Sequence, residues 1–200
     1  MASRTASLGR PRAFDPEQAL EAAMQVFWQK GYEGASLEEL THAMGINRPS
    51  MYATFGDKAA LFRKALDRYA TGPASFVHAA LQEKTARAVA AKIMRGTVGL
   101  VAGAKTPHGC FMVQAALTGG DDSAPVCREL LTHRESGVTL IRKRLKRAKA
   151  EGDLPRTADP AALARYIATV IHGISVQAAS GASRKELMKV VDLAMQAWPE

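Results

Sequence analysis

Between Asn47 and Lys58 the chain reads NRPSMYATFGDK, a run of hydrogen-bonding side chains on a short frame. If Asn47 caps a helix, the outward positions are Arg48, Ser50 and Ala53, with Thr54 near the edge. That face is small and polar, and it can approach the edges of nucleic-acid bases without obstruction. The guanidinium of Arg48 suits O6 and N7 of guanine, and Asn47 or Ser50 can bond a base edge or a phosphate oxygen. Tyr52 and Lys58 flank the face as anchors for a phosphate backbone, and the amides at the starts of the neighbouring helices suit the same oxygens. This is the chemistry of recognition. Bond-making chemistry has no comparable support: there is no Ser-His-Asp order, no glycine loop that cradles phosphate and no convincing pair of carboxylates, so no catalytic residue is assigned. His108, His133 and the acids lack a metal-ligand spacing such as HxxxH or CxxC, and neither a metal site nor a cofactor is expected.

Two other groups invite a reading. Cys110, with His108 nearby and an expected helix start beside it, could have a lowered thiol pKa and sense oxidants or electrophiles. The bland alternative is a small buried apolar residue. Cys127 carries a weaker version of the same argument. Two cysteines give no disulfide framework, and a reducing compartment would keep both as thiols. His172, in VIHGIS, faces either a pocket or a subunit seam. Val98, Val101, Phe111, Met112 and Leu117, with Cys110 and His172, are the material available to line an effector pocket, although a place in the core fits each singly.

The elements that must position these side chains are legible from caps and periodicity. Asp15-Pro16-Glu17-Gln18 starts a first helix, with Leu20, Ala23, Met24 and Phe27 at helical spacing until Lys30-Gly31. Ser36 with Glu39 forms a capping box for a second, which Gly45 ends. Asn47 caps a third, with Pro49 tolerated in its first turn and Met51 and Phe55 turned inward. A fourth runs from about Lys58 to the Gly72-Pro73 boundary. Two short helices joined by a glycine turn, with a third packed beside them, form the helix-turn-helix plan; capped helical hairpins in plain bundles share much of this spacing. Downstream, strand signals are nearly absent. Helices are expected over about 74–104 with a break, 110–119, 123–151, 160–180 and 184–198.

The totals fit a globular chain: 200 residues, 47% hydrophobic and 23% charged, with no run apolar enough to span a bilayer and no secretion signal at the start, so a cytoplasmic location is expected. The formal charge is +8, which permits a polyanionic partner. Residues 1–72 carry nine basic and eight acidic side chains, a net of only +1, and the excess lies downstream, above all in RKRLKRAK at 142–149. A solvated helix face is the plain reading of that run. Any nucleic-acid argument for the opening third must therefore rest on geometry.

The stretch GYEGASLEELTHAMGINRPSMYATFGDKAALF resembles the signature of the tetracycline-repressor (TetR) family: Gly31-Tyr32, Ser36, Leu40, Gly45-Ile46, Asn47, Pro49, Ser50, Met51-Tyr52, Phe55, Lys58 and Leu61 stand at its spacing. The resemblance covers residues 12 to about 70. It implies an all-α fold in which three amino-terminal helices bind double-stranded operator DNA, while a larger helical domain binds a small-molecule effector and dimerises through its last two long helices. It places Asn47, Arg48, Pro49 and Ser50 on the recognition helix and Ser36, Tyr52 and Lys58 at phosphate-contacting positions. Thr41 departs from the usual alanine. Thr54 stands where tyrosine or histidine is common, which puts one DNA contact in doubt. PHGCFMVQAAL at 107–117 resembles a segment shared by one group of these regulators.

The resulting expectation is a basic arm over 1–12, a helix-turn-helix domain over 13–72 and an effector-binding and dimerisation domain over 73–200. The protein is expected to be a repressor released from its operator by an effector, self-associating through Ile167, Ile171, Ile174, Leu187, Val191 and Trp198, with no membrane partner. A redox-gated regulator acting through Cys110 is the nearest alternative, and a helical enzyme or adaptor without DNA binding is the alternative of another class.

Overall fold

The computed structural model describes residues 14–104, 106–114 and 124–199, and these are helical and free of strands. The expected basic arm and Leu117 lie outside the described residues. The helices are α1 (Pro16–Gly34), α2 (Leu37–Met44), α3 (Arg48–Phe55), α4 (Lys58–Thr71), α5 (Phe76–Ala80), α6 (Ala86–Val101), α7 (Phe111–Gln114), α8 (Ala124–Ala150), α9 (Pro160–Ala179) and α10 (Arg184–Gln196). The expected helix over 74–104 divides into α5 and α6, because Thr85 caps a new helix by accepting from the Ala88 amide (3.1 Å). Arg144 holds the intervening turn, donating from a buried side chain to the carbonyls of Leu81, Glu83 and Lys84. Of the helix expected over 110–119, Phe111–Gln114 is described as helical.

Two apolar cores organise the chain. The first gathers Ala23, Met24, Phe27 and Trp28 of α1, Leu40 of α2, Met51 and Phe55 of α3, and Leu61, Phe62, Leu66 and Tyr69 of α4. The second joins α6, α8, α9 and α10 through residues such as Ile93, Val98, Leu145, Ile167 and Val191. The division does not fall cleanly at the Gly72-Pro73 boundary: Phe111, Val126 and Leu130, all downstream, are buried in the first core. A sequence boundary marks where the chain breaks its helix. Packing returns across it.

The subunit seam needs correction at residue level. Ile167, Ile174, Leu187, Val191 and Trp198 are buried inside the protomer's own second core, and Ile171 packs half-buried against it. Periodicity picks out the most apolar stripe of a helix, and that is the stripe a protomer covers with its own helices. The large apolar residues left exposed on α9 and α10 are Val176, Val190 and Leu193, at 42%, 45% and 64% exposure.

Candidate nucleic-acid interface

The frame of the interface is built by caps. Asp15 accepts from the Glu17 amide at 2.8 Å and Pro16 follows at the first turn, which starts α1. Gly31 takes φ 70° and kinks the end of that helix, a conformation side chains resist. Tyr32 then stands edge-on to Phe62 (centroids 5.3 Å) and against Phe27 (6.4 Å). Ser36 forms the reciprocal capping box with Glu39, and Lys30 pairs with the same carboxylate. Lys30 first, and Ser36 next, hold the Glu39 carboxyl down at about 2. Gly45 closes α2 in the left-handed region (φ 65°), and its amide and that of Ile46 return to the carbonyls of His42 and Thr41. The Thr41 hydroxyl, where an alanine was expected, is satisfied by the Leu37 carbonyl at 2.8 Å.

The third helix follows after two residues. Asn47 caps it through Oδ1, which accepts from the Ser50 amide at 2.8 Å, and Pro49 sits in the first turn where its missing donor costs nothing. Met51 and Phe55 are buried against the first core, and this fixes the opposite side outward. Asn47, Arg48, Pro49, Tyr52 (48% exposed) and Ala53 are exposed, while Ser50 and Thr54 are half-buried at the edges. The Asn47 side-chain oxygen already accepts the Ser50 amide, and its NH2 is left to donate to a base or phosphate. Ser50 keeps its hydroxyl for such a contact.

Electrostatics distinguish α3 from its neighbours. The first turn of α2 holds Glu38 and Glu39, and the Glu39 carboxylate already accepts from the Ser36 amide and hydroxyl. The amino end of α4 carries Asp57, whose carboxylate takes the Ala60 amide at 2.7 Å. Both helix starts proposed as phosphate cradles thus meet a capping carboxylate, which competes with phosphate for the same positive end. The first turn of α3 has no acid, a neutral cap and an exposed guanidinium. An anion therefore meets an unopposed positive end at α3.

Lys58, the first residue of α4, is half-buried with its ammonium 4.5 Å over the Tyr32 ring. Burial pushes its pKa below the ordinary value, and Glu33 partly opposes this. The ring steers the ammonium while leaving its charge for an external anion. Local spacing does not signal this partnership, because Tyr32 lies in another helix and meets Lys58 only when α1 packs on α4. Arg68 was missed for the same reason: it clamps α4 to α1 by donating to Glu21 (2.6 Å) and Glu17 (2.7 Å).

The effector-pocket residues are not brought together. Val98 and Val101 are fully buried in the second core. Phe111 is fully buried in the first, edge-on to Phe62 (5.2 Å) and Tyr69 (5.5 Å), and half-buried Met112 packs on the same side. Cys110 touches both cores. His172 lies half-buried on α9, its pKa lowered by burial and then by Arg134 and Arg165, against the pull of Glu135. Two open grooves, one along α8 at Arg128, Thr132 and His133 and one along α10 at Arg184, Met188 and Lys189, share no residue with the set. The lowered Cys110 thiol also needs correction. Cys110 does precede a helix, but α7 has four residues, and burial pushes the thiol up more than the Tyr69 hydroxyl and nearby amides pull it down. Among the described residues no cluster of three or more His, Cys, Asp or Glu could hold a metal ion, and no helix is long and apolar enough to cross a membrane.

Comparison with known proteins places this geometry in context. The family model described as bacterial regulatory proteins, tetR family, matches residues 19–65, which hold α2, α3 and most of α1. A second, described as tetracyclin repressor-like, C-terminal domain, matches residues 89–192. The HTH-type transcriptional repressor ComR of Escherichia coli is 35% identical over 196 residues, 97% of this chain and 93% of its own length. The HTH-type transcriptional repressor BdcR of Escherichia coli is 54% identical over 61 residues, 30% of this chain and 31% of its own. Among solved structures, a cysteine-substituted TetR family transcriptional regulator, CifR, complexed with 26-base-pair double-strand operator DNA, is 44% identical and superposes with a TM-score of 0.92, covering 96% of this chain and 100% of that one. The chain belongs to the tetR family of bacterial regulatory proteins and is a helix-turn-helix transcriptional regulator.

Proposed function

We propose that this protein is a repressor that reads operator DNA with α3 and leaves it when its carboxy-terminal helical domain takes up a small molecule. The observation that carries the reading is the exposed face of α3: Arg48 at an amino end free of carboxylates, with Met51 and Phe55 buried behind it. Arg48 reads a base edge, Ser50 and the free amide of Asn47 contact bases or phosphate, and Lys58, steered by Tyr32, holds the backbone beside them. Thr54, half-buried at the edge of the face, is a secondary contact.

Two such heads on a two-fold axis read two half-sites, which calls for a homodimer. The exposed residues Val176, Val190 and Leu193 are the apolar material for its seam on α9 and α10. An effector that prefers an arrangement with wrongly spaced heads weakens operator binding by the factor by which the operator weakens effector binding. The relatives named as repressors and the regulator solved on its operator support this reading by likeness. Selection of bound sequences from a random duplex pool tests it: recovery of a two-fold symmetric site is the expected result, and binding without sequence preference would overturn it. A screen of small molecules for release of that duplex then addresses the effector.

A further inference from the structure

The outward side of α3 is fixed by what the helix buries. Met51 and Phe55, four positions apart, are set in the first core, and the Phe55 ring lies against Phe14 (centroids 6.5 Å). Each residue turns a helix by about 100°, so the direction opposite this buried pair falls on Ala53, with Pro49 and Ser50 to either side at roughly 40° and 60°. Tyr52 and Thr54 stand at the flanks, about 100° from that direction. Arg48, the first residue of the helix, reaches the face from its end. The point of α3 that leads towards solvent is thus the Ala53 methyl, with the exposed Pro49 ring one turn before it. Neither side chain donates or accepts a hydrogen bond. Ser50, which does, is half-buried at the edge.

In the major groove every base pair presents hydrogen-bonding groups, and the apolar group on offer is the C5 methyl of thymine. With this face of α3 against the groove, a polar base edge opposite Ala53 and Pro49 loses its water and gains no partner, which costs free energy. A thymine methyl at the same place loses nothing and gains an apolar contact. We propose that Ala53, with Pro49 beside it, is a specificity-determining contact that selects thymine by its C5 methyl, so that each operator half-site joins a guanine read by Arg48 to a thymine read without a hydrogen bond. The proposal rests on the reading of α3 as the operator-binding helix, and it names a base feature that reading leaves open. Ala53 follows Arg48 by five positions, a rise of about 7.5 Å along the helix, and successive bases of a strand are about 3.4 Å apart, so the thymine lies within about three base pairs of the guanine. The short side chain is part of the device. A longer one at Ala53 would hold the helix off the groove floor and cover the methyl with a flexible, hydrated chain.

Base analogues test this directly. The full-length protein is titrated with the selected operator duplex in which each thymine of the half-site, one position at a time, is replaced by deoxyuridine, which keeps the base pair and lacks only the methyl. 5-Bromodeoxyuridine at the same position restores an apolar group of similar size. Within about three base pairs of the guanine read by Arg48, uracil is expected to weaken binding about 4-fold per methyl lost, and about 15-fold with both half-sites changed, as the loss of one buried methyl group predicts. Bromouracil should restore the affinity. Ala53→Gly and Ala53→Ser should bring the thymine-to-uracil ratio towards one, whatever they do to affinity as a whole, while Arg48→Ala leaves that ratio as it is. Should glycine loosen α3, the serine variant decides. If Ala53 acts only as a spacer, the ratio stays unmoved in the serine variant, and the proposal is overturned. A wild type that selects its operator yet is indifferent to uracil at every thymine of the half-site would overturn it too, and would leave the operator-binding reading intact. Failure to bind any duplex selectively would overturn both.

Discussion

Arg48 and Lys58 differ in kind, one offering a planar fork and the other a point charge, and their substitutions should separate accordingly. Arg48→Ala is expected to weaken operator binding and relax base preference at one position, by about 1 to 3 kcal/mol for a lost bidentate base contact. Lys58→Ala should weaken binding to all duplexes alike and lower the salt slope by about one unit per site. Binding titrations over a salt series check both. Tyr32→Leu extends the argument: if the ring steers Lys58, removing it should mimic part of the Lys58→Ala effect although Tyr32 itself need not touch DNA. Cys110 makes a contrary prediction. With its thiol held above the ordinary value by burial, the thiolate fraction at neutral pH is smaller than in a free cysteine, so alkylation should be slow at pH 7 and should rise with pH past the range where an exposed thiol has levelled off. Alkylation rates measured across pH by mass spectrometry decide it.

At the scale of elements, caps and periodicity were the legible part. Asp15, Ser36, Asn47, Asp57, Thr85, Asp159 and Ser183 all cap helices through their side chains, and such signals are local, so α1 to α4, α9 and α10 begin where the residues place them. Asn47→Ala should cost about 1 kcal/mol of stability through loss of the Ser50 amide's acceptor, and it should weaken DNA binding further by fraying α3; thermal melts beside operator titrations separate the two. What could not be read were long-range relations. The place of Phe111 illustrates this: as an aromatic at a helix start it suits a pocket wall, yet its neighbours Phe62 and Tyr69 lie more than forty positions back in the chain. Likewise the apolar stripes of α9 and α10 were visible, but whether a stripe faces the protomer or a partner depends on what the other helices cover. The face of α3 was legible because its two periodic apolar residues fix its outward side without reference to anything distant.

For the whole molecule, the two cores make different substitutions informative. Leu193→Glu, or Val190→Glu with it, places charge on an exposed apolar face and should leave the protomer folded while dissociating a dimer. Val191→Glu buries the charge in the second core and should unfold the protein instead. Sedimentation with thermal melts tells these outcomes apart, and a dimer unchanged in Leu193→Glu and Val190→Glu would place the seam elsewhere. Val101→Trp, into a side chain fully buried in the second core, should cost about 1 to 3 kcal/mol as overpacking. The net charge of +8 adds a sequence-independent attraction to any duplex, and because residues 1–72 hold only +1 of it, that attraction cannot by itself orient α3 on DNA. Orientation must come from the contacts of α3 and its flanks. The most direct test is therefore a comparison of wild type and Arg48→Ala on the selected operator and on variants changed one base pair at a time. The expected result is a two-fold symmetric site whose penalties in the wild type vanish, in Arg48→Ala, at one base pair of each half-site; an identical penalty profile in the two proteins would contradict the account.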